Sequence, residues 1–164
     1  MNKICLILCC CLLLQMVCGC SGNKEEFENP VQFYYCTREI SYNSPIGVIQ
    51  PETREGKGYF DNLSAFLNAY LRGPVSQELV SPIPTDVYLV FCEVENNTAK
   101  VVLSSQFSSI SGVELSTACS ALLLSVHGFT GAETIHISAK ESQLDDKEEI
   151  VLNIEDVVLI DVAQ

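Results

Sequence analysis

Apolar positions recur along this chain in two rhythms, and each predicts a different element. Phe60, Leu63, Phe66, Leu67, Tyr70 and Leu71 fall three and four residues apart, which puts them on one stripe of a helix. Asp61 or Asn62 can cap its start. Gly73 followed by Pro74 stops it, since Gly adopts the left-handed turn and Pro cannot continue a helix. A second stripe is formed by Leu115, Ala118, Cys119, Leu122, Leu123 and Val126. Nothing polar interrupts it, so Leu122 and Leu123 are expected in the core. Ser111-Gly112-Val113-Glu114 has capping-box spacing before this helix, and Gly128 is expected to end it.

Alternation and β-branched or aromatic runs predict the strands. They cover residues 31–37, 87–95, 100–105 and 134–139, where Ile135 and Ile137 share a face. Asn96-Asn97-Thr98 predicts a hairpin between the second and third of these. Residues 150–154 and 157–160 predict one or two further strands. Residues 41–58 hold Gly, Pro and scattered polar residues and predict a long loop, with a short extended piece at Val48-Ile49. Ser81-Pro82-Ile83-Pro84 predicts an extended bend into the second strand.

The order is therefore β-α-β-β-α-β with a C-terminal β extension. Two one-sided helices need a sheet face to bury against, so the expected class is α+β: a two-layer sandwich with both helices on one face of a mixed sheet. A split βαβ arrangement would pair the first and third strands in parallel through a right-handed crossover.

The N-terminus follows another logic. Lys3 precedes a nearly unbroken apolar run over residues 4–17, and small Gly19 precedes Cys20. Charged, apolar and small-residue regions in that order make a secretory signal. The run is shorter than the ~20 residues of a spanning helix. Val17-Cys18-Gly19-Cys20 resembles the lipobox of bacterial lipoproteins. That resemblance implies lipidation of Cys20 by a diacylglycerol thioether, removal of the preceding peptide, and acylation (as by palmitate) of the new amine. Two or more buried chains, at ~0.8 kcal/mol per methylene, anchor a protein durably. An ordinary cleaved signal or a retained anchor helix are the alternatives. The expected division is 1–19 signal peptide, 20–29 lipidated tether, 30–142 folded domain and 143–164 acidic β extension. The expected location is the extracytoplasmic face of a cell membrane, with the lipid bilayer engaged through Cys20.

Charge and reactive residues narrow the function. The net charge is -12, so binding to nucleic acid or attraction to anionic head groups is not expected. The acids gather late, including Glu141, Asp145, Asp146, Glu148, Glu149, Glu155, Asp156 and Asp161. Asp145-Asp146-Lys147-Glu148-Glu149 lacks the alternating oxygen ligands and central Gly of a calcium loop. It reads as a solvated face. Of the cysteines beyond Cys20, Cys36, Cys92 and Cys119 lie in apolar patterns at no metal-ligand spacing. Buried free thiols, or one disulfide and one free thiol, both fit them. His127 falls at a helix end, where positive charge is favoured, and His136 on the outward face of a strand. No serine stands in a nucleophile elbow, and Gly56-Lys57-Gly58 is too short for a phosphate loop. No metal, cofactor or catalytic residue is expected.

One family matches the order of motifs. Phe33-Tyr34-Tyr35 is followed by Phe66-Leu67-Asn68-Ala69-Tyr70-Leu71-Arg72-Gly73-Pro74, then Leu79-Val80-Ser81-Pro82-Ile83-Pro84, then Val101-Val102-Leu103-Ser104-Ser105-Gln106-Phe107. This resembles the GerMN domain of bacterial sporulation and spore-germination proteins, over roughly residues 31–140. The basic residues common after the family's first strand are reduced here to Arg38, Arg54 and Lys57. Ala139-Lys140-Glu141-Ser142 replaces a Gly-containing turn, and residues from 144 onward lie outside the pattern. The resemblance implies a surface lipoprotein serving sporulation, germination or envelope assembly, similar in fold to ring-building modules of secretion complexes, with no active-site residue to transfer.

The leading expectation is a membrane-tethered, non-catalytic module that contacts other envelope proteins or self-associates. A lipoprotein binding a cell-wall fragment or small solute is the alternative, and an envelope hydrolase the third. An acidic surface should select a basic partner, and that binding should weaken as salt rises. An exposed apolar row on the 100–105 strand or the C-terminal strand would suggest edge-to-edge assembly.

Overall fold

A computed structural model describes residues 27–38 and 48–157. The strands are β1 (Pro30–Thr37), β2 (Ile49–Glu55), β3 (Leu79–Val80), β4 (Leu89–Glu95), β5 (Thr98–Leu103), β6 (Thr134–Ala139) and β7 (Ile150–Asn153). The helices are α1 (Leu63–Leu71) and α2 (Gly112–Thr130). The class is α+β, as expected. The strands divide between two sheets, one of three strands in the order β2-β1-β3 and one of four in the order β4-β5-β6-β7.

Pairing departs from the split βαβ expectation. β1 is antiparallel to both β2 and β3. The parallel pair is β5 with β6, with α2 as the crossover between them. The side of β1 that would have met a parallel neighbour meets α2 instead: the Tyr34 N–H donates to the Ser125 hydroxyl at 2.8 Å. A buried backbone donor must find a partner, and here a serine of the core helix supplies it.

Two of the local signals held and two did not. Asn96 and Asn97 both take positive φ (48° and 67°), the two-residue turn that matches strand twist in a hairpin. Asn62 caps α1, accepting from the Ala65 N–H at 3.0 Å. The expected capping box at Ser111 does not form, because its side chain makes no cap bond. The Gly112 N–H instead donates to Asp145 Oδ2 at 2.9 Å, so a carboxylate 33 residues away holds the helix start. α2 also runs past Gly128 to Thr130, and Gly131 ends it at φ 76° with its N–H on the His127 carbonyl.

α2 is long and apolar enough to cross a membrane by length and composition, but it packs as the central helix of the core. Leu122 and Leu123 are both fully buried, as their stripe predicted, in the core cluster that also holds Val101, Leu103, Ile135 and Ile137 of the second sheet. The β extension is β7, antiparallel to β6, and Leu144 before it is buried with the core. Val157 begins no strand; residues 154–156 form a 3-10 turn, and the rest of the expected 157–160 strand lies outside the described residues.

Candidate functional site

The expected loop over residues 41–58 contains a strand that sequence reading missed. In β2, register places Glu52 opposite Phe33 and Arg54 opposite Val31, so both charged residues lie on the face that β1 turns inward. An inward face without apolar residues carries no alternation signal, and Pro51 argues against a central strand. Pro51 is tolerated because β2 is an edge.

Glu52 and Arg54 form a mostly buried ion pair, 10% and 17% exposed. The Arg54 guanidinium lies 4.6 Å from the Phe33 ring centroid and 5.6 Å from that of Tyr35. It donates to the Gly73 carbonyl at 2.8 Å and to the Tyr35 hydroxyl at 3.3 Å. The Glu52 carboxylate accepts from the Val75 and Ser76 N–H groups at 2.9 and 2.7 Å. Burial alone would raise the Glu52 carboxyl, but the Ser76 and Val75 amides and Arg54 together hold it below its ordinary value. The pair thus clamps the chain on both sides of Pro74, where Gly73 takes φ 89°. This gives the Gly-Pro motif its physical role.

Aromatic rings support the clamp from beneath. Phe33 stacks on Phe66 at 4.5 Å, Tyr35 on Tyr70 at 5.0 Å, and Phe66 on Phe129 at 4.3 Å between centroids. The Tyr35 hydroxyl donates to the Tyr70 carbonyl at 2.9 Å, near the end of α1. Burial drives the Tyr35 phenol pKa upward despite Arg54, so it stays a protonated donor.

The clamped loop forms one wall of a groove of about 1360 Å³. Its lining includes Gly73, Pro74 and Val75, then β3 and Pro82 to Pro84, with the start of α2 opposite. Leu79 and Ile83 root that wall in the core. Val48, Val75, Val80 and Val113 line the groove and are 44%, 79%, 41% and 83% exposed. Ser116, Thr117 and Ser120 also line it, but each hydroxyl donates to a carbonyl one turn back in α2. The groove is thus walled largely by apolar side chains and by hydroxyls already engaged.

The residues singled out from sequence scatter. Arg38 reaches the groove, with its Nε on the Gln77 carbonyl at 2.9 Å. Arg54 is in the clamp, and Lys57 stands in the turn after β2, its N–H on Glu55 Oε1. His127 Nδ1 lies 3.0 Å from the Ala132 carbonyl. His136 Nδ1 pairs with Glu149 Oε2 at 2.9 Å on the outer face of the second sheet. Asp156 accepts from the Asn153 N–H at 3.0 Å, so several late acids hold backbone as well as meeting solvent. Cys36, Cys92 and Cys119 are free thiols. Burial raises all three, Cys119 to about 12. Among the described residues no group of three or more His, Cys, Asp or Glu is placed to hold a metal. Cys20 lies outside the described residues.

Two sheets, a core helix and a clamped Gly-Pro wall define this chain as an α+β domain. Its fold is similar to the tandem GerMN domains of the sporulation protein GerM from Bacillus subtilis, with a TM-score of 0.52 and 16% identity. That likeness covers 70% of this chain and 39% of the tandem chain, so this chain spans well under half of that protein's length. It is also similar to a Clostridium perfringens chain classed as a lipoprotein, with a TM-score of 0.49 and 16% identity over 77% of this chain and 88% of that one. No family model and no curated protein matches the chain.

Proposed function

We propose that this chain is a lipid-anchored extracytoplasmic protein whose GerMN-type domain binds another envelope protein without catalysing a reaction, in sporulation, germination or envelope assembly. The observation that carries this reading is the groove beside the clamp. Several charged groups at or beside it hold backbone: Glu52 and Arg54 fix the Gly73–Ser76 turn, and Asp145 caps α2. What remains for a partner is a channel edged by valines, with Arg72 and Glu114 also in its lining. The net charge of -12 adds a preference for a partner with a basic face. The 100–105 strand is not the binding edge, because β5 is paired on both sides.

Co-isolation from membranes tests the reading. Val75→Asp and Val113→Asp alter exposed positions, where substitutions change stability by about 0.5 kcal/mol or less. We expect each to lose a protein partner that the parent retains. Raising salt should weaken the parent's capture, since exposed charges are screened beyond ~8 Å at physiological ionic strength. Equal capture by parent and variants removes the groove from the proposal. Recovery of a small ligand with no protein partner would favour solute binding instead.

The anchor has its own test. Cys20→Ser should release the protein from the membrane fraction or leave it unprocessed. Unchanged processing and retention would show that Cys20 is not the lipid attachment site.

A further inference from the structure

β4 forms one rim of the second sheet: β5 pairs with it on one side, and no strand lies on the other among the described residues. The Asn96-Asn97 hairpin fixes which of its backbone groups are used. A two-residue turn closes on a hydrogen-bonded pair, here Glu95 with Thr98, and such pairs alternate along an antiparallel ladder. The ladder is regular from Phe91 to Glu95, so Phe91 and Glu93 also direct their N–H and C=O groups at β5. Cys92 and Val94 direct theirs at the open side, where no other element among the described residues takes them up. α1 packs against β4 yet leaves Val90 and Val94 exposed, and Phe91 is exposed opposite Val102. The other rims are blunted, since β2 carries Pro51, β3 has two residues and β7 has four. An apolar, proline-free edge with unpaired backbone groups is a template for strand pairing.

We propose that β4 receives an extended segment of another protein by strand addition, with cationic side chains of that segment on the outer face and apolar ones on the inner. Charge selects this occupant. Glu93 and Glu95 both lie on the outer face, in register with Lys100 and Thr98 of β5, and both are exposed. A strand added beyond β4 meets these two positions as non-hydrogen-bonded pairs, where facing side chains approach most closely. Neither glutamate is in an ion pair among the described residues. On the inner face Val94 follows the parity of buried Ala99, which calls for apolar residues beside it. A second copy of this chain would bring two more glutamates into the same seam, on a net charge of -12, so like charges oppose that pairing. The surface is separate from the groove, whose lining includes no residue of β4.

A capped seven-residue peptide of alternating lysine and valine is the probe. Added to the full chain in detergent micelles, it is followed by amide hydrogen exchange read residue by residue with NMR. We expect exchange at Cys92 and Val94 to slow several-fold, with Phe91, Glu93 and Glu95, already bonded to β5, changed little. A glutamate-valine peptide of the same length should protect neither. Glu93→Lys with Glu95→Lys should reverse the two preferences, whereas Val75→Asp, in the groove, should leave the parent's pattern intact. Val94→Pro removes one donor from the open edge and should abolish protection at Cys92; the charge-reversed chain keeps the test decisive if that variant does not fold. Protection confined to residues 73–84 would place the peptide in the groove and overturn the proposal. So would equal protection by both peptides, or by neither. Slowing at Cys92 and Val94 when the chain alone is concentrated would assign the edge to a second copy, which also overturns it.

Discussion

Replacing Arg54 by leucine should destabilise the domain by about 3–5 kcal/mol, the range for removing one member of a buried ion pair. The loss has two sources. The Glu52 carboxylate, 10% exposed, keeps its two amide donors but loses its countercharge. The Gly73 carbonyl loses a 2.8 Å donor, and the Phe33 ring loses the cation above it. Glu52→Gln should cost less, because a neutral amide oxygen can still accept from Val75 and Ser76. The pair also predicts an acid limb. A carboxyl held below its unfolded value contributes stability above that value, 4.5, and loses the contribution as pH falls through the lower folded value. Urea unfolding from pH 7 to pH 3 should show the parent weakening through that window, and Glu52→Gln weakening less steeply. An Arg54→Leu domain within 1 kcal/mol of the parent at pH 7 would show that the clamp does not hold the fold.

Leu122→Ala should cost a comparable amount, about 2–5 kcal/mol, because the fully buried side chain leaves a cavity that a close-packed core fills only in part. For a domain of this size that lowers Tm by roughly 5–15 °C. Val113→Ala, on the exposed side of the same helix, is the control and should leave Tm within a degree or two. Thermal unfolding followed by far-UV circular dichroism separates the two variants. A Leu122→Ala domain melting with the control would contradict its placement in the core.

Sequence legibility tracked how local the physics was. The two helical stripes and the alternation in β6 were readable because burial of one face repeats every 3.6 or 2 residues, whatever the neighbours are. The Asn96-Asn97 hairpin was readable because positive φ restricts the residue types at a two-residue turn. The GerMN resemblance was carried by the Gly-Pro and Pro-x-Pro stretch, where backbone constraints leave few residue choices. The same sequence concealed β2. Its inward positions are Glu52 and Arg54, and a charged inner face has the same pattern as a loop until the partner strand and the Gly73–Ser76 turn are in place.

The pattern of residues along the chain therefore determined the helices, the hairpin, the core stripe at Leu122 and Leu123, and the α+β class. Tertiary structure alone decided the division into two sheets, since the Ser125 hydroxyl takes the β1 amide that a parallel strand would have used. It alone replaced the Ser111 cap with Asp145 and brought the Gly73-Pro74 turn, the Pro82-to-Pro84 bend and the start of α2 together as one groove. The reason is common to all three. A polar group is satisfied by whichever partner the packed fold brings within about 3 Å, and that partner can lie anywhere in the sequence.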